Sequence, residues 1–143
     1  MKFTLLDRSN YLRGLLILIG KDRKITNEEK EMMRKLSDAL GFSREFCEDA
    51  MSELLENEYI MEEPPKFSNI EVAKIFIKDG IKIAFADKEF HLYELSWLRT
   101  IAEANSVKHD WGLKEFENFK SDADPDDDFE ITKLIKSGKY SLV

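Results

Sequence analysis

Two nine-residue stretches, 21–29 and 86–94, share one grammar 65 positions apart, and the helix pattern behind each continues in the same register. Asp22 aligns with Asp87 and Glu29 with Glu94, with no gap between them. The same offset sets Met32 against Trp97, Met33 against Leu98, Leu36 against Ile101 and Ala39 against Ala104. Self-similarity at a fixed spacing predicts one supersecondary unit used twice. Each copy reads as an apolar helix, a short acidic corner, a capped helix, a turn and a third helix. Two three-helix units packed face to face bury apolar stripes that neither buries alone. The expected fold is therefore all-α: a tandem repeat of two three-helix units, about 9–58 and 68–120, packed as one compact helical bundle.

Local signals support helices over strands. Thr26-Asn27-Glu28-Glu29 has the form of a capping box, in which hydroxyl and carboxylate each satisfy an orphan amide. Met32, Met33, Leu36, Ala39 and Leu40 follow at helical spacing, and Gly41 supplies a stop. Ser43 opens the next helix, with Phe46, Cys47, Ala50, Met51, Leu54 and Leu55 as its apolar set. Pro64-Pro65 breaks the pattern, because neither residue has an amide to donate. Ser68-Asn69-Ile70-Glu71 then reads as a second capping box, opening a helix through Ile75, Ile77, Ile81, Ile83 and Phe85. Gly80 within it is expected to be a close-packing point. Further helices are predicted around Leu95 to Ala102 and around Trp111 to Phe119. No sustained alternation or hairpin turn suggests strands. Domain organisation is read as a helical domain over 1–120, followed at 121–143 by an acidic linker and a short C-terminal helical tail.

The bulk numbers exclude several classes. A chain of 143 residues with 43% hydrophobic content can bury roughly 70% of its unfolded surface in one domain. Twenty-two Lys and Arg against 29 Asp and Glu give a net charge of −7, which argues against nucleic acid or an anionic membrane as the main partner. The longest apolar run, Leu15 to Ile19, is far short of the ~20 residues of a membrane span and reads as a central helix covered on all sides. It has no small-residue cleavage site, since Lys21 to Lys24 follow directly. A single cysteine, Cys47, excludes a disulfide framework and fits a reducing compartment, so a cytoplasmic location and a buried, inert thiol are expected.

With an Asp, a hydrophobe three residues on and a Glu seven on, Asp22/Ile25/Glu29 and Asp87/Phe90/Glu94 resemble the tellurite-resistance TerB-like superfamily. The resemblance covers roughly residues 9 to 120. Family members commonly carry Gly after the Asp, where this chain has Arg23 and Lys88. The resemblance implies an all-α fold and a stress-response or accessory role, with divalent-cation or protein binding at the acidic corner.

The residues themselves give that corner a physical interest. Glu29, Met32, Met33 and Leu36 stand at i, i+3, i+4 and i+7, as do Glu94, Trp97, Leu98 and Ile101. Both glutamates therefore fall on the core-facing stripe, where a carboxylate must be hydrogen-bonded, paired or metal-bound. For Glu29 the capping box with Thr26 is itself a sufficient account. For Glu94 the equivalent cap position is His91, a poor cap, so that account is weaker. If Asp22, Glu29, Asp87 and Glu94 come together across a pseudo-twofold axis, four hard oxygen ligands suit Ca²⁺, Mg²⁺ or Mn²⁺ better than Zn²⁺. Arg23, Lys24 and Lys88 offer the alternative of salt bridges to the same carboxylates.

The acidic tail does not spell an EF-hand: counted from Asp122, the sixth and twelfth positions are Asp127 and Lys133 instead of Gly and Glu. Ser121 to Asp128 reads as a solvated linker to an amphipathic segment, Phe129 to Ile135, whose docking on the body would regulate partner access. His91 and His109 stand in no recognisable nucleophile motif, and there is no phosphate loop, Cys pair or His-Glu-x-x-His. His109, at a helix start, is expected at the surface. An enzyme is thus the least expected class, to be revived by a deep pocket lined by Glu94, His91 and Tyr93. The preferred reading is an interaction module for another protein, with cation binding at the corner. Its alternative is a purely structural protein-binding domain without metal, for which Tyr59, Ile60 and Met61 are contact candidates or caps on the first unit's core.

Overall fold

The computed structural model describes residues 2–20, 25–56, 63–85, 92–122 and 128–142, with the side chains of 120–122 excepted. Seven helices lie among them: α1 (Leu5–Ile19), α2 (Asn27–Ala39), α3 (Arg44–Glu56), α4 (Ile70–Ala84), α5 (Leu92–Ala104), α6 (His109–Asp122) and α7 (Glu130–Lys136). The fold is all-α, as the periodicity predicts. Helix α4 begins and ends 65 residues after α1, α5 begins and ends 65 after α2, and α6 begins 65 after α3.

Helices α1 and α4 form the centre. From Gly14 to Ile19 every residue of α1 is buried, so the run with no polar face is a helix covered on all sides. Helices α2 and α3 flank α1, α5 and α6 flank α4, and α5 also reaches α1. Trp97 fixes that last contact by donating its indole N–H to the Gly14 carbonyl at 3.0 Å. Gly80 is a close-packing point: a Cβ there would lie 2.4 Å from Leu98 Cδ2.

The helix ends follow the expected chemistry in three places and depart from it in one. Thr26 and Glu29 form the complete capping box, with Glu29 N to Thr26 Oγ1 at 3.1 Å and Thr26 N to Glu29 Oε1 at 2.9 Å. Ser43 caps α3 by accepting the Phe46 amide. Gly41, at φ +83°, ends the α2 turn. The second capping box is corrected: Asn69, not Ser68, caps α4 and accepts the Val72 amide at 2.9 Å. Ser68 is drawn away because its amide and hydroxyl both donate to Asp7, a buried carboxylate on α1.

Other expectations shift at their edges. Phe46 is not buried with its helix; it is exposed and stacks on Phe42. The linker expected from Ser121 starts inside α6, and 123–127 lie outside the described residues. Two short strands, unforeseen in the sequence, pair in parallel, β1 (Lys2–Phe3) with β2 (Ser141–Leu142). They bring the two ends of the described chain together.

The C-terminal segment docks as its hydrophobic pattern suggests. Phe129, Ile131 and Tyr140 are buried in the same core as α1 and α4, with Leu134 and Ile135 packed against it. Helix α7 packs on α4 and α2. Among the described residues no helix is long and apolar enough to cross a membrane.

Candidate functional site

Glu29 and Glu94 sit where the spacing places them, at the first turn of α2 and of α5 on the core-facing side, 5% and 6% exposed. Met33 and Leu36 lie behind Glu29, and Trp97, Leu98 and Ile101 behind Glu94, all buried. Glu29 completes the capping box, so one carboxylate oxygen accepts a backbone amide. Asp22 and Asp87, with Arg23, Lys24, Lys88 and His91, lie outside the described residues, as do Tyr59 to Met61. Among the described residues no three metal-ligating side chains converge. Glu29 and Glu94 are thus the described half of the expected set.

A second polar centre escaped the sequence reading. Asp79 on α4 is fully buried, and three donors converge on its carboxylate. Tyr11 of α1 donates its hydroxyl to Oδ2 at 2.5 Å, Glu130 its amide to Oδ1 at 2.7 Å, and Ile131 its amide to Oδ2 at 3.2 Å. Asp79 therefore acts as the N-terminal cap of α7 from another helix, where Phe129 has no side chain to do so. Burial pushes its carboxyl up to about 7, although these three hydrogen bonds act the other way. Burial likewise holds the Tyr11 hydroxyl well above its ordinary value, reinforced by the Asp79 charge. The sequence signal was an Asp within a helix that is otherwise apolar on that side.

The third feature is a cleft of about 290 Å³ between α5 and α6, floored by α4. Ile77, Ile81, Leu98, Val107 and Phe116 make it apolar, and Arg99, Lys108 and His109 stand among its polar groups. Neither Glu94 nor Tyr93 lines it, so it is not the pocket that would point to acid–base chemistry. His109 is exposed at the start of α6, where a surface position was expected.

Cys47 is buried, as expected, and burial pushes its thiol up. Compared with models of known protein families, with curated proteins and with solved structures, the chain matches none.

Proposed function

We propose that this chain is a non-enzymatic helical interaction module of the TerB-like kind, whose acidic corner binds a divalent cation weakly. Its partner on this reading is another protein, in a stress-response or accessory role. The observation that supports the reading is the burial of Glu29 and Glu94 at equivalent first-turn positions, 65 residues apart on one helical pattern. With Asp22 and Asp87 they would complete a set of four oxygen ligands for a divalent cation. The donors are all hard oxygens, so Ca²⁺, Mg²⁺ or Mn²⁺ are the cations that fit.

A second reading has its own support. The capping box satisfies part of Glu29 without metal, which favours a purely structural protein-binding domain. The variant Asp87→Asn with Glu94→Gln separates the two. On the cation reading it abolishes the rise in melting temperature that millimolar Ca²⁺ or Mn²⁺ gives the wild type. A cation response identical in variant and wild type would eliminate the acidic corner as its source.

A further inference from the structure

The cleft between α5 and α6 has a physical origin that a comparison of the two halves exposes. Helices α2 and α3 meet in the first half as α5 and α6 do in the second, with corresponding residues 65 apart. In the first half Cys47 is buried against α2, its Sγ 3.7 Å from the Met33 carbonyl, and Phe42 packs on the core edge. The corresponding residues are Gly112 and Val107. A Cβ built at Gly112 meets nothing within 4 Å, so α6 presents bare backbone to a hollow. In the first half Arg34 also ties α2 to α3 by gripping Glu48 with Nε at 2.5 Å and Nη2 at 3.3 Å. Arg99 takes the place of Arg34, but Glu48 is replaced by Leu113, which is 47% exposed.

Among the described residues the second half therefore lacks both that filling and that cross-helix tie, and keeps the cation. Among the described residues Arg99 pairs with Glu103, at 3.5 Å along its own helix, with both side chains largely exposed. Such a pair is weak and easily displaced. Lys108 stands where Ser43 caps α3, and an ammonium accepts no amide hydrogen, so the side chain at that position cannot cap α6. The mouth thus gathers Arg99, Lys108, His109 and the first amides of α6, with Glu103 among the described lining residues and Asp110 in the first turn of α6. This cationic mouth belongs to a chain of net charge −7.

We propose that this cleft is a binding site for a medium-chain aliphatic carboxylate. Its alkyl chain lies over Gly112 against Ile81, Val107 and Phe116, and its head meets Arg99 and Lys108. A planar guanidinium matches a carboxylate in bidentate geometry. The volume, about 290 Å³, lies near the lower end of small-molecule sites, about 300 to 1,000 Å³, and suits one short chain. The proposal does not depend on the acidic corner.

The test is a titration of the methyl- and ¹⁵N-labelled protein with decanoate below its micelle-forming concentration. Saturable shifts confined to Ile81, Val107, Leu113 and the amides of 108–112 are expected. Gly112→Leu, which fills the hollow, should weaken binding at least tenfold while melting no lower than wild type. Gly112→Cys, the first half's own solution, provides a milder filling variant should the leucine not fold. Arg99→Gln with Lys108→Gln should weaken decanoate several-fold and leave decanol unchanged. Shifts spread over the surface, none at all, or binding that survives both filling variants would overturn the site. Shifts that depend on protein concentration alone would assign the cleft to a second copy of the chain, and overturn it too.

Discussion

The Tyr11 hydroxyl donates to Asp79 Oδ2 at 2.5 Å inside the core, joining the two central helices at the point where α7 begins. Tyr11 and Asp79 are 68 residues apart in sequence, and the backbone amides they share the carboxylate with belong to a third segment. One carboxylate therefore couples α1, α4 and the C-terminal tail.

That coupling has a pH signature. The folded value for Asp79, about 7, lies above the unfolded value, near 4. A raised acid contributes its stabilising proton uptake fully below the unfolded value and loses it as pH rises through the folded one. Relative to Asp79→Asn, the wild type should lose roughly 3 kcal/mol between pH 4 and pH 7. The facing Tyr11 hydroxyl, held well above its ordinary value, carries no proton change of its own in that window. Urea denaturation of both proteins at successive pH values checks the slope. A constant difference between them would contradict the assignment.

Close approach at Gly14 predicts a steric penalty. A Cβ there would lie 2.8 Å from two atoms of the buried Phe76 ring and 3.1 Å from Pro65 Cγ. Gly14→Ala should therefore destabilise by about 1 to 3 kcal/mol, despite the better helix propensity of alanine. Gly112→Ala meets open space and should stabilise by up to about 1 kcal/mol. Chemical denaturation of the two variants should give opposite signs.

The turns that end α2 and α5 share a shape but not the residue at the left-handed position. Gly41 and Ser106 both sit at positive φ, +83° and +60°, in matching turns that close through Phe42 N to Ser37 O and Val107 N to Ala102 O. Serine in that region is strained, and glycine is not. Ser106→Gly should gain a few tenths to about 1 kcal/mol, read as a shift in urea midpoint at unchanged slope.

The tail shares the core, which makes its hydrophobic anchors costly to lose. Ile131 is fully buried, in the same core cluster as Phe3 and Tyr140. Ile131→Ala should lower global stability by about 2 to 5 kcal/mol in a single transition. A separate early transition, with the body unaffected, would instead mark the tail as an independent appendage.

Much of the fold was legible because it is written in local grammar. Thr26 and Glu29 form a box readable over four residues, and the unbroken apolar run at Leu15 to Ile19 has few alternatives to a covered helix. Glu29 and Glu94 were found because spacing alone puts them on the buried stripe. The α4 cap was misplaced by one residue because Ser68 is claimed by Asp7, a partner 61 positions away that no local pattern reveals. Asp79 was missed for the same reason: its meaning comes from Tyr11 and from a helix end contributed by the tail. The α5–α6 cleft left a faint signal, Gly112 and Val107 standing opposite Cys47 and Phe42 at the same offset. Reading it required knowing that those positions face a neighbouring helix.

The central claim, a cation site at the acidic corner, is tested most directly by titrating the ¹⁵N-labelled protein with Ca²⁺, Mg²⁺, Mn²⁺ and Zn²⁺ in turn. The account predicts saturable shifts, and selective broadening by Mn²⁺, centred on Asp22 to Glu29 and Asp87 to Glu94, with Zn²⁺ the weakest. No response there, or one confined to Asp122 to Asp128, would contradict it and leave a protein-binding scaffold without metal.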